Sequence, residues 1–343
     1  MSILLSPKKI GNIEIKNRIV MPPMCMYSAD EKGLVDDFHI VHYGARAIGG
    51  TGLIIVEATA VEARGRISEN DLGLFSDTQI DGHRRLNETC HKYGSKTAVQ
   101  LAHAGRKSFC KTTTPIAPSA IRFSDDKEYQ TPIEMSLEDI EKLKKDFTDA
   151  ANRAKSAGYD IVEIHAAHGY LLNEFLSLLS NKREDSYGGN IENRCRLILE
   201  ISSDIIKKVK IPLMVRISAD EWCDGGWNLD DSVYLATELR KIGVDAIHVS
   251  AGGNQPSPKN APKLTPLYQV DYAKTIKENV GIPTIAVGII RTPGEGEALL
   301  HGGVCDFVAY GRELLRNPNL ALYAAKELDK QDAIFNSYIR AFK

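Results

Sequence analysis

The chain has 343 residues, of which 43% are hydrophobic and 26% charged, as in an ordinary soluble globular enzyme. A net charge of −2 gives no general pull toward nucleic acid or an anionic membrane surface. No apolar run approaches the ~20 residues needed to span a bilayer. The opening stretch MSILLSPKKIGNIEIK places its charges after a very short apolar segment, the reverse of a secretory signal, so the expected compartment is the cytoplasm. The six cysteines (25, 90, 110, 195, 223 and 305) stand singly with no C-x-x-C pair. Neither a structural zinc site, an iron–sulfur cluster nor a disulfide framework is signalled.

In chain order, short β-rich apolar runs alternate with longer amphipathic stretches. The first three runs are NRIVMPPMC (17–25), GLIIVEA (52–58) and KTAVQLA (96–102). A polar, proline-containing insertion occupies residues 108–135. Long loops in compact domains are usually functional, and this one follows a strand, so it is expected to form a rim or lid over the catalytic face. SLEDIEKLKKDFTDAANRAKSAG (136–158) predicts a helix capped by Ser136 and Asp139 and stopped near Gly158. Its buried face should carry Ile140, Leu143, Phe147, Ala150, Ala151 and Ala154.

The fourth run, YDIVEIH (159–165), leads into HAAHGY and then LLNEFLS (171–177), whose helical spacing reads as core packing. NKREDSYGGNIENR (181–194) reads as a surface loop, overlapping a helix expected over 190–209. PLMVRIS (212–218), a helix over 229–243, VDAIHVS (244–250), IPTIAVG (282–288) and CDFVAYG (305–311) complete the pattern. Eight strands alternating with helices predict a single (β/α)8 TIM barrel spanning residues 1–343, with an open doubly wound sheet as the alternative.

Active sites of such barrels lie at the carboxyl ends of the strands. Those ends carry Cys25 and Tyr27, Glu57 and Ala58, Gln100 with His103, Arg106 and Lys107, then His165, His168 and Tyr170, and Arg216. The later strands end instead in Ser250, Gly252, Gly253, Gly288, Gly311 and Arg312. Glycines and an arginine at that position suit a phosphate. Arg216 needs an anionic or carbonyl partner, and an ion pair with Glu163 or Glu57 would also serve. His165 and His168 are open to three readings. Metal binding lacks a third ligand and the H-E-x-x-H pattern, and burial as core histidines is the bland fate. The third is a pair of donors gripping one carbonyl oxygen. Tyr170 is either a proton donor or a ring packing the rim. The only G-x-G, in GEGEAL (294–299), lacks the third glycine and sits in an expected helix start, so it is no dinucleotide fingerprint.

NRIVMPPMCMYS, EATAVEARGRI, QLAHAGRK, EIHAAHGYLLNEFLSLLSNKREDSYGG, VRIS and YGRELLRNP occur in that order along almost the whole chain. Together they resemble the Old Yellow Enzyme family of flavin-dependent ene-reductases, and more closely its bacterial, thermophilic-like subgroup of NADPH dehydrogenases. The resemblance implies a barrel that holds FMN non-covalently and takes NADPH or NADH as reductant. By the match, Pro22, Pro23, Met24 and Cys25 line the flavin, with Ala58, Gln100 and Arg216 against its rings and Gly288, Gly311 and Arg312 on its phosphate. Cys25 stands where classical members carry threonine. His165 and His168 match the pair that binds the substrate's carbonyl oxygen, and Tyr170 matches the proton donor. Tyr27 and Lys107 match substrate-side positions. The resemblance further implies a homodimer or homotetramer in which the C-terminal segment 330–343, through Arg340, reaches a neighbouring subunit's active site. The substrates implied are small enones or nitro compounds, with no metal, nucleic acid or membrane partner. The rivals are a cofactor-free lyase or isomerase acting on a phosphorylated sugar, with Lys107 as Schiff base, and a non-catalytic flavin-binding protein.

Overall fold

The computed structural model describes residues 2–330 and 335–342. Two short strands, β1 (Lys8–Ile10) and β2 (Ile13–Ile15), form an antiparallel hairpin that turns at Gly11, whose φ is +57°. The strands that follow are β3 (Ile19–Met21), β4 (Leu53–Ala60) and β5 (Lys96–Ala102). The pair β6 (Ile116–Ala117) and β7 (Ile133–Glu134) lies within the insertion. Then come β8 (Ile161–Ala166), β9 (Leu213–Ser218), β10 (Ala246–Ser250), β11 (Thr284–Ala286) and β12 (Phe307–Ala309). Strands β3, β4, β5, β8, β9, β10, β11 and β12 pair in parallel and close into a barrel. The open-sheet alternative is therefore not the one formed, and each of the eight expected runs overlaps a barrel strand, with β4 and β8 extending one or two residues further.

The surrounding helices are α1 (Asp37–Ile48), α2 (Ile80–Lys92), α3 (Leu137–Ser156), α4 (Leu171–Leu176) and α5 (Ile191–Asp204). They continue with α6 (Leu229–Lys241), α7 (Val270–Val280), α8 (Pro293–His301), α9 (Gly311–Arg316) and α10 (Leu320–Glu327). The capping of α3 is as expected: Ser136 Oγ accepts from the Asp139 N–H at 3.0 Å, and the Asp139 carboxylate accepts from the Ser136 N–H at 3.0 Å. All six apolar residues expected on its inner face are buried.

Period-two alternation divides the barrel interior into layers. At the amino ends, Val20, Leu53, Ala98, Ile161, Met214 and Phe307 form an apolar layer that the hairpin closes with Ile10 and Ile15. Two and four residues further along, the interior becomes polar: Gln100, Glu163 and His165, Arg216 and Ser218, His248 and Ser250.

Three expectations change. The β1–β2 hairpin was not anticipated. The helix over 190–209 is α-helical only to Asp204 and ends in a π-helical turn, Ile205–Val209. The stretch 181–194, expected as a surface loop, is partly buried. Asn181 donates to the Phe175 and Tyr187 carbonyls, and Arg183 donates to those of Pro118 and Met135. These polar side chains go inward because they satisfy backbone carbonyls of the 108–135 insertion and its neighbours.

Candidate active site

Strand β8 delivers His165, and the loop after it delivers His168 and Tyr170. His168 holds a left-handed φ of +60°, uncommon for a residue with a side chain. Two glycines make room for it. A Cβ on Gly169 would lie 2.3 Å from the Gly253 carbonyl oxygen, and one on Gly253 would lie 2.6 Å from the His168 Cα. The loops after β8 and β10 can approach this closely only because both positions are glycine. Asn173 Oδ1 accepts from the Gly169 N–H at 2.7 Å, and Ser218 Oγ accepts from the His168 N–H at 2.9 Å. Helix α4, buried throughout, thus pins the loop as well as packing beneath it.

The His165 ring lies 5.3 Å from that of His168 and 4.9 Å from that of Tyr170, edge-on in both cases. Burial, reinforced by the Arg216 charge, holds both imidazoles well below their ordinary pKa, so both are neutral at neutral pH. A neutral imidazole has one N–H, and its partners decide which nitrogen carries it. His165 Nδ1 accepts from the Ala167 N–H at 3.3 Å, which leaves the proton on Nε2. His168 Nε2 lies 2.8 Å from Ser250 Oγ, which itself accepts from Gln269 Nε2 at 3.4 Å. With the Ser250 hydroxyl donating onward to Nε2, the His168 proton resides on Nδ1. Ser250 was named from sequence only as a strand end, and Ser218 and Gln269 were not singled out. Ser218 and Ser250 carried one signal, their place at a strand's carboxyl end.

Burial raises the Tyr170 phenol well above its ordinary pKa, and its hydroxyl has no hydrogen bond among the described residues. Tyr170, Cys25 and Phe109 pack on Ala58, Ile67, Ala102 and Ala104 as one apolar wall. The Cys25 thiol is likewise pushed up, first by burial, so it is a protonated thiol rather than a reactive thiolate. Tyr27 stands half-exposed at the rim with φ +52°. Lys107, lowered to about 8 by burial, donates to the His168 and Gly253 carbonyls at 2.8 and 3.0 Å. Its ammonium also lies 5.0 Å from the Tyr170 ring centre and 4.6 Å from that of Phe123 in the insertion. An amine so engaged ties loops together and is poorly placed to attack a carbonyl as a Schiff-base lysine.

Adjoining His168 through Ser250 is a cavity of ≈ 260 Å³, lined by Arg216, Ser250, Gln269, Gly288, Ala309, Gly311 and Arg312 among others. Arg312 is exposed and makes no hydrogen bond or ion pair among the described residues. Arg216 Nε and Gln269 Oε1 are buried without partners among the described residues. Gly311 lies against Pro22 and Met24, so the ends of β3 and β12 meet here. Neither ion pair considered for Arg216 forms. Glu57 accepts from the Met26 N–H and the Tyr43 hydroxyl, and Glu163 is engaged elsewhere. Among the described residues no three His, Cys, Asp or Glu side chains converge as a metal site.

Residues 3–331 match the model of the NADH:flavin oxidoreductase / NADH oxidase family. The chain belongs to this family. It is 46% identical over 348 residues to an NADPH dehydrogenase of Listeria monocytogenes, covering all of both chains. It superimposes on an old yellow enzyme homologue from Zymomonas mobilis with a TM-score of 0.82 at 28% identity, covering 94% of this chain and 92% of that one. A 2-naphthoyl-CoA reductase superimposes with a TM-score of 0.87 at 25% identity over 97% of this chain, which spans only 53% of that larger one.

The protein is thus an FMN-dependent NAD(P)H oxidoreductase. The residues present fit the cofactor. The unpaired Arg312 guanidinium and the glycines 288 and 311 suit a phosphate, since they combine charge with open backbone. The partnerless Arg216 Nε and Gln269 Oε1 offer a donor and an acceptor to the rest of the flavin, with Gln100, Ala58 and the Pro22–Cys25 segment bordering the same end of the barrel.

Proposed function

We propose that this oxidoreductase reduces the activated C=C bond of α,β-unsaturated carbonyl and nitro compounds. Two neutral imidazoles and a protonated phenol meeting beside the cofactor cavity carry the assignment. FMN, when held by Arg216, Gln269, Gly288, Gly311 and Arg312, would supply the hydride chemistry, with NADPH as the source of the electrons. His165 Nε2–H and His168 Nδ1–H donate to the carbonyl or nitro oxygen and stabilise the charge that develops there. Tyr170 gives its hydroxyl proton to the α-carbon and regains one from solvent. One hydride and one proton thus saturate the double bond. Tyr27 at the rim and Lys107, through its hold on His168, border the substrate's approach. Anaerobic NADPH is expected to bleach the yellow FMN absorption, and a simple cyclic enone to restore it. Bleaching that neither an enone nor a nitroalkene reverses would refute the substrate class.

The same proposal takes the chain as a homodimer or homotetramer in which Arg340 enters a neighbour's site. In support, Arg340 is exposed within the short helix Asn336–Ala341 and has no ion pair or hydrogen bond among the described residues. The exposed aromatic rings of Phe335 and Tyr338 lie nearby in sequence. Residues 331–334 and 343 of the expected arm lie outside the described residues. Sedimentation should return a dimer or tetramer mass, and Arg340→Ala should raise KM for the enone. A fully active monomer would overturn this assembly.

A further inference from the structure

Below His165 the barrel encloses a polar chain that none of these steps uses. Gln100 Nε2 donates to Glu163 Oε1 at 2.8 Å, and Glu163 Oε2 lies 2.8 Å from His248 Nδ1. Glu163 and His248 have no exposed surface, and Gln100 is 2% exposed. The strand register builds the chain: Gln100 on β5 lies beside Glu163 on β8, and His248 on β10 lies beside Arg216 on β9.

A carboxylate only accepts, so Gln100 must turn its amide nitrogen to Glu163. Its carbonyl oxygen is left without a hydrogen bond among the described residues. Burial keeps His248 neutral; it donates from Nδ1, while Nε2 is buried without a partner among the described residues. Arg216 is also buried, with one long contact of 3.5 Å to the Pro23 carbonyl and its Nε unmet. Of the charges acting on Arg216, Glu163 is the strongest attractive one, although the two do not touch. A buried guanidinium needs such a counter-charge, and in a low-dielectric interior that charge is felt across several ångströms.

We propose that Glu163, fixed by Gln100 and His248, is a positioning residue that sets the midpoint potential of FMN. It holds Gln100 with its carbonyl free to accept from the cofactor, and its negative charge tempers the positive field of Arg216. Two-electron reduction makes the cofactor more negative. Glu163 therefore disfavours the reduced form and lowers the potential. The inference rests on Gln100 and Arg216 facing FMN and is independent of the substrate class.

The test is a redox titration of bound FMN against reference dyes, with FMN affinity measured in parallel. Glu163→Gln keeps an acceptor for Gln100 and turns its amide N–H to His248, whose neutral ring moves its proton to Nε2, while the charge is removed. It is expected to favour reduced over oxidised FMN by roughly tenfold, equivalent to about 30 mV upward for a two-electron couple. His248→Leu leaves the charge in place and removes the N–H dipole that partly screens it, so it should shift the potential downward, by less. The double variant should move no further than Glu163→Gln alone. An unchanged or lowered potential in a Glu163→Gln protein that retains FMN would overturn the proposal, as would weaker FMN binding at constant potential. Should Glu163→Gln fail to fold, His248→Leu decides alone: a downward shift supports the role, and a constant or raised potential refutes it.

Discussion

Replacing His165 with alanine is expected to slow enone reduction about 10²–10³-fold while leaving FMN reduction by NADPH within several-fold of the parent. His165 Nε2–H is a donor set by its own backbone: the Ala167 N–H occupies Nδ1 and fixes the proton on the opposite nitrogen. No side chain of the described residues competes for that donor. Stopped-flow separates the two half-reactions, and equal losses in both would show a disturbed cofactor pocket rather than a lost oxygen clamp. The pH dependence gives a second check. Both clamp histidines have pKa values held well below the ordinary ~6.5, so each is already neutral through the neutral range. The oxidative rate should therefore stay flat from about pH 6 to 8 with respect to these groups. A clamp made of imidazolium would instead lose rate as pH rises through the ordinary histidine value.

The barrel was legible because buried parallel strands are nearly continuous apolar runs, and eight of them survive as eight strands. Hairpin β1–β2 was not, because three-residue strands within a charged stretch give too few alternations to separate from loop. That His165, His168 and Tyr170 gather in one place was readable from their position after the fourth run. Their proton positions were not, since these depend on the backbone of Ala167 and on Ser250, 82 residues from His168. The chain from Gln100 through Glu163 to His248 spans sequence gaps of 63 and 85 residues, and only strand register brings it together. Lys107, expected on the substrate side, also donates to the carbonyls of His168 and Gly253, and side-chain chemistry in a sequence cannot announce a backbone acceptor.

Tyr170→Phe is expected to keep the fold, retain FMN and accept hydride from NADPH at the parent rate, yet reduce enones about 10²–10⁴-fold more slowly. The ring stays. It packs on the apolar wall with Cys25 and Phe109, lies 4.9 Å from His165 and sits under the Lys107 ammonium, so phenylalanine preserves each contact. Only the hydroxyl is lost, and it has no hydrogen bond among the described residues that would be left unpaired. The size of the defect should depend on the substrate. An enone that gains hydride without a proton at its α-carbon carries a strongly basic enolate, so loss of the acid stalls it. A nitroalkene in the same position carries a nitronate, whose charge the two nitro oxygens hold well enough for it to leave unprotonated. The variant should therefore consume NADPH with a nitroalkene at a rate near the parent's and release the nitronate, while enone turnover nearly stops. If both substrates slow alike, Tyr170 acts by packing or orientation. If neither slows, the proton comes from another group, and Tyr27 at the half-exposed rim is the next phenol to replace.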